Sequence, residues 1–542
     1  MEDLSHKRKL TVMTAIIAAM FFAAINQTIV STALPKIIAT LGGMNYYTWV
    51  VTIYLLTSTI ATVLVGKLSD IYGRKPFILA GIVVFIIGAF LTGFSKDIFH
   101  LITYRGIQGV GAGIIMSSVF TAIGDLFAPR ERGKWTGVMM AVFGFSSILG
   151  PTLGGWIVDH MDWEWVFWIF LPVGVLAFFM ILFLFPKTER KQGEKIDYLG
   201  SLTLTLALVP LLLGFSWAGS KYGWASPPIV GLFGAAALFA VIFVFVERYA
   251  KSPVLPLPLF RNSIVTLSNA IGFLLNAGMM GALIYLSFYV QGVEGVRPTY
   301  AGYVTMPMSI SMVILSSVAG RWITKSGKYK RYALLGIPFM AAGMVIMAYM
   351  NNIPVAVVAM IVFGFGLGLS MPVFSLTVQN AVGPEELGVA TASSQLFRNM
   401  GSTIGIAVMG TIMAASLKNS LEERMAEGRF DLSKLDPASA EKLAGAANPQ
   451  LLLDRSKLDA VRESLPGDVQ PLFEQMVGIA RDALAMSLTH VFLSGAALLA
   501  VAFVLTLFLK EIPLRTSNRM PAAADKGGSP ERGKEADPST GM

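Results

Sequence analysis

The sequence predicts an all-α integral membrane protein with fourteen transmembrane helices, and three observations carry that prediction. First, 54% of the 542 residues are hydrophobic and only 14% are charged, with a mean hydropathy of +0.65. A soluble domain carries roughly 25% charged residues, so this chain lacks the polar surface to coat a globule of its size. Second, the hydrophobic residues number about 290, and fourteen spans of about 20 residues need about 280. Third, the basic residues fall on alternate loops, as insertion topology requires. This composition excludes a soluble enzyme, a fibrous protein and a disordered chain.

In chain order, apolar runs long enough to cross a bilayer lie near 11–33, 48–66, 77–95, 99–123, 135–157, 165–185, 199–219, 228–247, 264–290, 300–322, 332–350, 354–378, 390–415 and 487–509. The first resembles a signal peptide in its basic flank, Lys7 to Lys9, but it continues to about Ile29 without an early A-x-A site. It reads as an uncleaved span. On the side of the N-terminus, short loops and tails hold 27 Lys and Arg; the opposite side holds four, Lys36, Lys96, Lys221 and Arg297. This split predicts a cell-membrane protein with both termini in the cytoplasm. It also accounts for the net charge of +9 without nucleic acid. Cysteine is absent and the four histidines are scattered, so neither a disulfide framework nor a metal site is expected.

One external loop is long. Residues 417–486 carry nine Lys and Arg and twelve Asp and Glu. Within it, SLKNSLEERMAEG and VQPLFEQMVGIARDALAMSL read as amphipathic helices. The loop is either an interfacial cap or flexible excursion, or a lid over an external vestibule. The tail from 516 reads as disordered.

An internal repeat organises the rest. GKLSDIYGRKP (66–76) follows the second run, and GRWITKSGKYKR (320–331) follows the tenth. Each opens with Gly and a basic residue and later sets Gly before a basic cluster. Two six-span units result, 1–190 and 263–515, with residues 191–262 as an inserted helix pair. Two related bundles around a midplane site describe a secondary transporter.

Four stretches carry the chemistry. In GKLSDIYGRKP, Gly66 and Gly73 permit close approach and a tight turn, Asp70 can face a helix N-terminus, and Arg74 can pair with it. LITYRGIQGVGAG (101–113) places Arg105 about 10 Å inside the membrane boundary at helical rise. An arginine near the centre costs roughly 2.5–3.5 kcal/mol on insertion scales, so it is a functional candidate facing the interior; the alternative is a structural arginine bonded to carbonyls. Gln108 shares its face. The glycines of this stretch lie within an apolar span and serve helix packing rather than nucleotide binding. In GFSSILGPTLGGW (144–156), Pro151 bends the helix, and Gly144, Gly150, Gly154 and Gly155 admit a neighbouring helix. Last, GVATASSQLFRNMGSTIGIAVMGT (388–411) holds a second intramembrane cation, Arg398, with Ser394, Gln395 and Ser402 on one polar stripe. That stripe lines either a translocation path or a helix contact.

With these stretches in view, the chain resembles the major facilitator superfamily, and within it the fourteen-span drug:proton antiporter family. The likeness covers most of residues 10–510. It implies the major facilitator fold of two six-helix bundles plus an inserted hairpin. It implies that the Asp70–Arg74 loop is a cytoplasmic latch remade in each transport cycle, that Arg105 takes part in proton coupling, and that the Gly144–Trp156 stretch is an antiporter signature. The likeness breaks on the first span, where INQTIVSTALP (25–35) sets Asn26 at the place of the family's acid. The Trp-Arg-Trp pattern before span six reads Trp163-Glu164-Trp165 here. No Asp or Glu occupies the middle of any run, so proton coupling falls to boundary acids, Asp70, Asp159 and Asp125, or the substrates are neutral, zwitterionic or anionic.

Softer pocket candidates are Asn26, Gln27, Trp49, Tyr54, Gln108, Asn269, Asn276, Tyr285 and Tyr289, since amide and aromatic groups in an apolar cavity suit amphipathic ligands. The expected function is export of small amphipathic compounds, several drugs among them, in exchange for protons by alternating access. It involves no enzymatic chemistry, and protons and the lipid bilayer are the other partners. The alternatives are a dedicated exporter of one metabolite, lipid or cation, and a receptor or scaffold on the same fold. The sequence does not set the oligomeric state.

Overall fold

The computed structural model describes residues 5–41, 46–186, 197–219, 221–296, 298–427, 452, 455–467 and 469–514. Among them are fourteen helices long and apolar enough to cross a membrane. The first group comprises α1 (His6–Leu41), α2 (Tyr47–Tyr72), α3 (Arg74–Thr92), α4 (Ile98–Leu126), α5 (Pro129–His160) and a sixth span in two pieces, α6 (Trp165–Trp168) and α7 (Leu171–Leu184). The sixth run was expected as one helix. It breaks because Pro172, in the first turn of α7, has no N–H to continue the ladder from α6.

The pair α8 (Tyr198–Trp217) and α9 (Pro227–Tyr249) pack mainly on each other. Buried Glu247 fastens this pair to the segment that follows, its Oε1 accepting bonds from Val254 N at 3.1 Å and Leu255 N at 3.3 Å. The second group comprises α10 (Ser263–Phe288), closed by a π-turn at 289–293, then α11 (Pro298–Ser326), α12 (Lys330–Ala348), α13 (Ile353–Asn380), α14 (Leu387–Glu427), the short α15 (Arg455–Glu463) and α16 (Gln470–Phe508).

The two amphipathic stretches of the long loop are helical, but as extensions of spans rather than separate elements. Residues 416–427 continue α14, and 470–486 begin α16. The reason is apolar burial: Phe473, Met476, Val477 and Ala480 join the same core as Leu286, Tyr289 and Val290, so the helix keeps a packed face beyond the bilayer. The middle of that loop at 428–451, the segment 187–196 and the tail from 516 lie outside the described residues.

The repeat inferred from sequence has a structural counterpart. Gly73, between α2 and α3, has φ 91°, and Gly327, between α11 and α12, has φ 69°; both turns need the left-handed region open to glycine. Gly66 on α2 meets Ala392 and Gly388 of α14, while a Cβ on Gly320 of α11 would lie 2.5 Å from Gly133 O of α5. The two groups therefore touch through α2 with α14 and α5 with α11.

Candidate functional site

The polar residues of the first group converge at depth on three helices. Arg105, on the third turn of α4, is 2% exposed. Its NH1 donates to Gln108 Oε1 at 2.8 Å, and its guanidinium lies 4.2 Å from the centre of the Tyr54 ring on α2. Gln108 Nε2 donates onward to Asn26 Oδ1 on α1 at 3.2 Å, and Asn26 Nδ2 to its own helix at Phe22 O. Arg105, Gln108 and Asn26 thus form a continuous buried chain. Arg105 Nε has no partner, and no carboxylate of the described residues pairs with the guanidinium. The cation is held by an amide and an aromatic face, an arrangement that leaves positive charge uncompensated at depth.

In the second group, Asn269 Nδ2 donates to Ser393 Oγ at 3.1 Å, and its buried Oδ1 is unpartnered. Gln395 Nε2 reaches Met116 O on α4 at 3.4 Å. Arg398, partly buried, sets its guanidinium 5.9 Å from the Phe120 ring of α4 and its stem against Gly272. No described carboxylate pairs with it either.

Other predicted residues sit elsewhere. Tyr285 and Tyr289 pack in the apolar core of the second group, the first donating to Ile406 O at 2.9 Å and the second to Glu294 Oε1 at 2.8 Å. Asn276 bonds its own helix at Gly272 O. Trp49 stacks edge-on to Trp217 of α8, 5.4 Å away. Gln27 is partly exposed on the face of α1 next to that of Asn26. Sequence reasoning missed Asn399, which donates to Thr59 Oγ1 of α2 at 3.1 Å. Its signal was present: a second polar residue beside Arg398 within an apolar run.

A second polar cluster closes the end of the molecule where α1 begins and α16 ends. Arg74 pairs with Asp70 and, through Nε, with Asp125 Oδ2 at 2.8 Å. Asp70 also accepts from Gly388 N at 3.2 Å and Val389 N at 3.1 Å, at the N-terminus of α14, where a negative charge is favoured. Buried Arg132 donates to Gly124 O at 2.8 Å and across to Gln379 O at 3.2 Å, and Arg130 Nε reaches Thr324 O at 3.2 Å. Arg105 cannot tune Asp125, because twenty residues of one continuous helix separate them by about 30 Å. The side chains of Asp159 and Pro151 lie outside the described residues, although α5 runs unbroken through both positions.

The glycines of α5 divide their work. A Cβ on Gly154 would lie 2.6 Å from Ile29 O, and Gly150 fits against Thr28, so both seat α5 on α1. Gly144 instead meets Val313 and Met312 of α11, across the groups, and Gly155 is partly exposed.

The model of the Major Facilitator Superfamily matches residues 16–406. The chain belongs to that superfamily. This transporter is 39% identical to the multidrug transporter protein MdtP of Bacillus subtilis over 524 residues, covering 96% of this chain and 95% of the relative. It is 31% identical to multidrug resistance protein 3 of the same organism, covering 95% and 98%. Among the solved structures that share its fold are the human organic anion transporter MFSD10 (TM-score 0.62, 14% identity, 92% and 99% covered) and FucP in its outward conformation (TM-score 0.56, 13% identity, 93% and 100% covered).

Proposed function

We propose that this transporter exports small amphipathic compounds, several drugs among them, from the cytoplasm in exchange for protons. The observation that carries the reading is the buried Arg105–Gln108–Asn26 chain on α4 and α1, with Arg398 of the other bundle set against Phe120 further along α4. Polar groups at that depth are costly unless they serve a path. The multidrug names of the relatives support the substrate class. The bonds across the bundles made by Asp70, Arg130, Arg132 and Asn399 all fall between midplane and the terminal end, so this conformation is closed on that side. By the distribution of basic residues, that side is the cytoplasm of a cell-membrane protein, and alternating access follows from rocking the two bundles, 1–190 and 263–515, about the α2–α14 and α5–α11 contacts.

Two arginines at depth with no carboxylate of the described residues against them favour neutral, zwitterionic or anionic compounds over permanent cations, since a cation there meets like charge. Inside-out vesicles test both statements. Acidifying the lumen is expected to drive uptake of amphipathic dyes, collapsed by a pH-gradient dissipator, with anionic and neutral dyes preferred. Transport indifferent to the gradient would remove the proton. Response to a single natural compound would make this a dedicated exporter, and no flux of any solute would make it a receptor or scaffold.

A further inference from the structure

Glu164 and Trp165 of the altered Trp163-Glu164-Trp165 stretch lie apart from the polar chain of Arg105 and line a crevice of about 360 Å³ at the end of the molecule opposite the Asp70–Arg74 cluster. The crevice lies where α3 and α5 end and α6 begins. One wall is aromatic: Trp168 lies 5.0 Å from Phe94 and 6.0 Å from Trp165, centre to centre. Trp168 is fixed there by its Nε1 bond to Phe90 O at 3.1 Å, and Gly93 leaves it room, since a Cβ at 93 would collide with the indole. The other wall is acidic, formed by Asp162 and Glu164, and no basic side chain lines the space. Glu164 Oε2 is buried and has no hydrogen-bond partner. A buried carboxylate oxygen without a donor is rare in folded proteins; here it belongs to a side chain that lines the crevice.

We propose that this crevice binds the primary ammonium head group of a phospholipid in the leaflet facing away from the termini. Three features select that occupant. The ammonium brings three donors to the Glu164 carboxylate, to Asp162 and to Ser95, which also line the space. Its charge is attracted both by the two carboxylates and by ring faces of the aromatic wall. Phe90, Phe94, Trp156 and Trp165 are all exposed at this end of the bundle, the aromatic belt that sits at head-group level. An arginine at 164 would instead attract the lipid phosphate, so the acidic side chain sets the selectivity of the place. Lys96, exposed beside Ser95, supplies a counter-charge for that phosphate.

The test is native mass spectrometry of the full-length protein released from nanodiscs holding equal phosphatidylethanolamine, phosphatidylcholine and phosphatidylglycerol. The wild-type protein is expected to retain phosphatidylethanolamine at least fivefold over the other two. Glu164→Gln should abolish that preference, Asp162→Asn should weaken it, and Glu164→Arg should turn it toward phosphatidylglycerol. Equal retention of phosphatidylcholine, or a preference unchanged in all three variants, overturns the proposal. Transport of dyes, which the site does not touch, should stay within twofold of wild type in Glu164→Gln; this separates the lipid site from the transport reading.

Discussion

At the scale of the residue, the central question is how a cation stays at depth without an anion. Arg105 does so by sharing its charge with the Gln108 amide and the Tyr54 ring. Both contacts depend on the planar guanidinium, because a lysine presents a point charge with different geometry. Arg105→Ala is therefore expected to lower vesicle transport by about two orders of magnitude, the loss of a charge-assisted contact in a dry site. Membrane levels on immunoblot should be unchanged, and Arg105→Lys should not rescue. Normal efflux by either variant would remove Arg105 from the mechanism. Asn26 stands one amide away from the arginine. In Asn26→Asp the carboxylate can keep the Gln108 bond and add a negative charge near Arg105, so export of quaternary ammonium dyes relative to neutral ones should rise roughly tenfold, equivalent to about 1.4 kcal/mol. An unchanged dye profile would show that position 26 lies off the path.

At the scale of the element, small residues decide which helices touch. Gly150 and Gly154 seat α5 on α1, whereas Gly144 seats α5 on α11. The first contact lies within a bundle and the second between bundles, so substitutions there should separate stability from turnover. Gly154→Ala adds a methyl group against Ile29 O, an overpacking worth about 1–3 kcal/mol. It is expected to lower the thermal midpoint of the detergent-solubilised protein by about 2–5 °C. Gly144→Ala faces side chains, Val313 and Met312, that can shift. It should leave the midpoint nearly unchanged but slow transport several-fold, measured by dye flux in proteoliposomes. A reversed pattern would show that Gly144, and not Gly154, makes the tighter helix contact.

At the scale of the whole molecule, the two bundles are joined in the terminal half by side chains on α2, α4, α5, α13 and α14. The absence of cysteine makes that closure directly testable. Thr59→Cys with Asn399→Cys places two thiols where the native side chains meet at 3.1 Å. Oxidation should link α2 to α14 and stop transport, and reductant should restore it. Flux that continues through the cross-link would mean that this contact does not open during the cycle. Asp70→Asn attacks the same closure chemically: it removes the charge that receives both Gly388 N and Val389 N and pairs with Arg74. Labelling of Thr59→Cys by a cytoplasmic thiol reagent should then rise several-fold.

Much of this was legible from residue order alone. Fourteen spans follow from apolar runs because lipid leaves the backbone no partner but itself, and the repeat follows because Gly73 and Gly327 each answer a turn that other residues resist. Arg105, Arg398 and the departure at Asn26 were visible as polar residues where polarity is expensive. Helix ends were less legible: α14 and α16 run beyond the bilayer because of apolar contacts that form only once distant segments meet. What only tertiary structure decided is who meets whom. It joined Arg105 to Asn26 through Gln108, set Asp70 against the start of α14, withdrew Tyr285 and Tyr289 into a bundle core, and turned Trp163-Glu164-Trp165 into the rim of a crevice. Hydropathy is a property of each segment summed along the chain, whereas a hydrogen bond or an ion pair is a property of two segments brought together. The first survives in one dimension and the second does not.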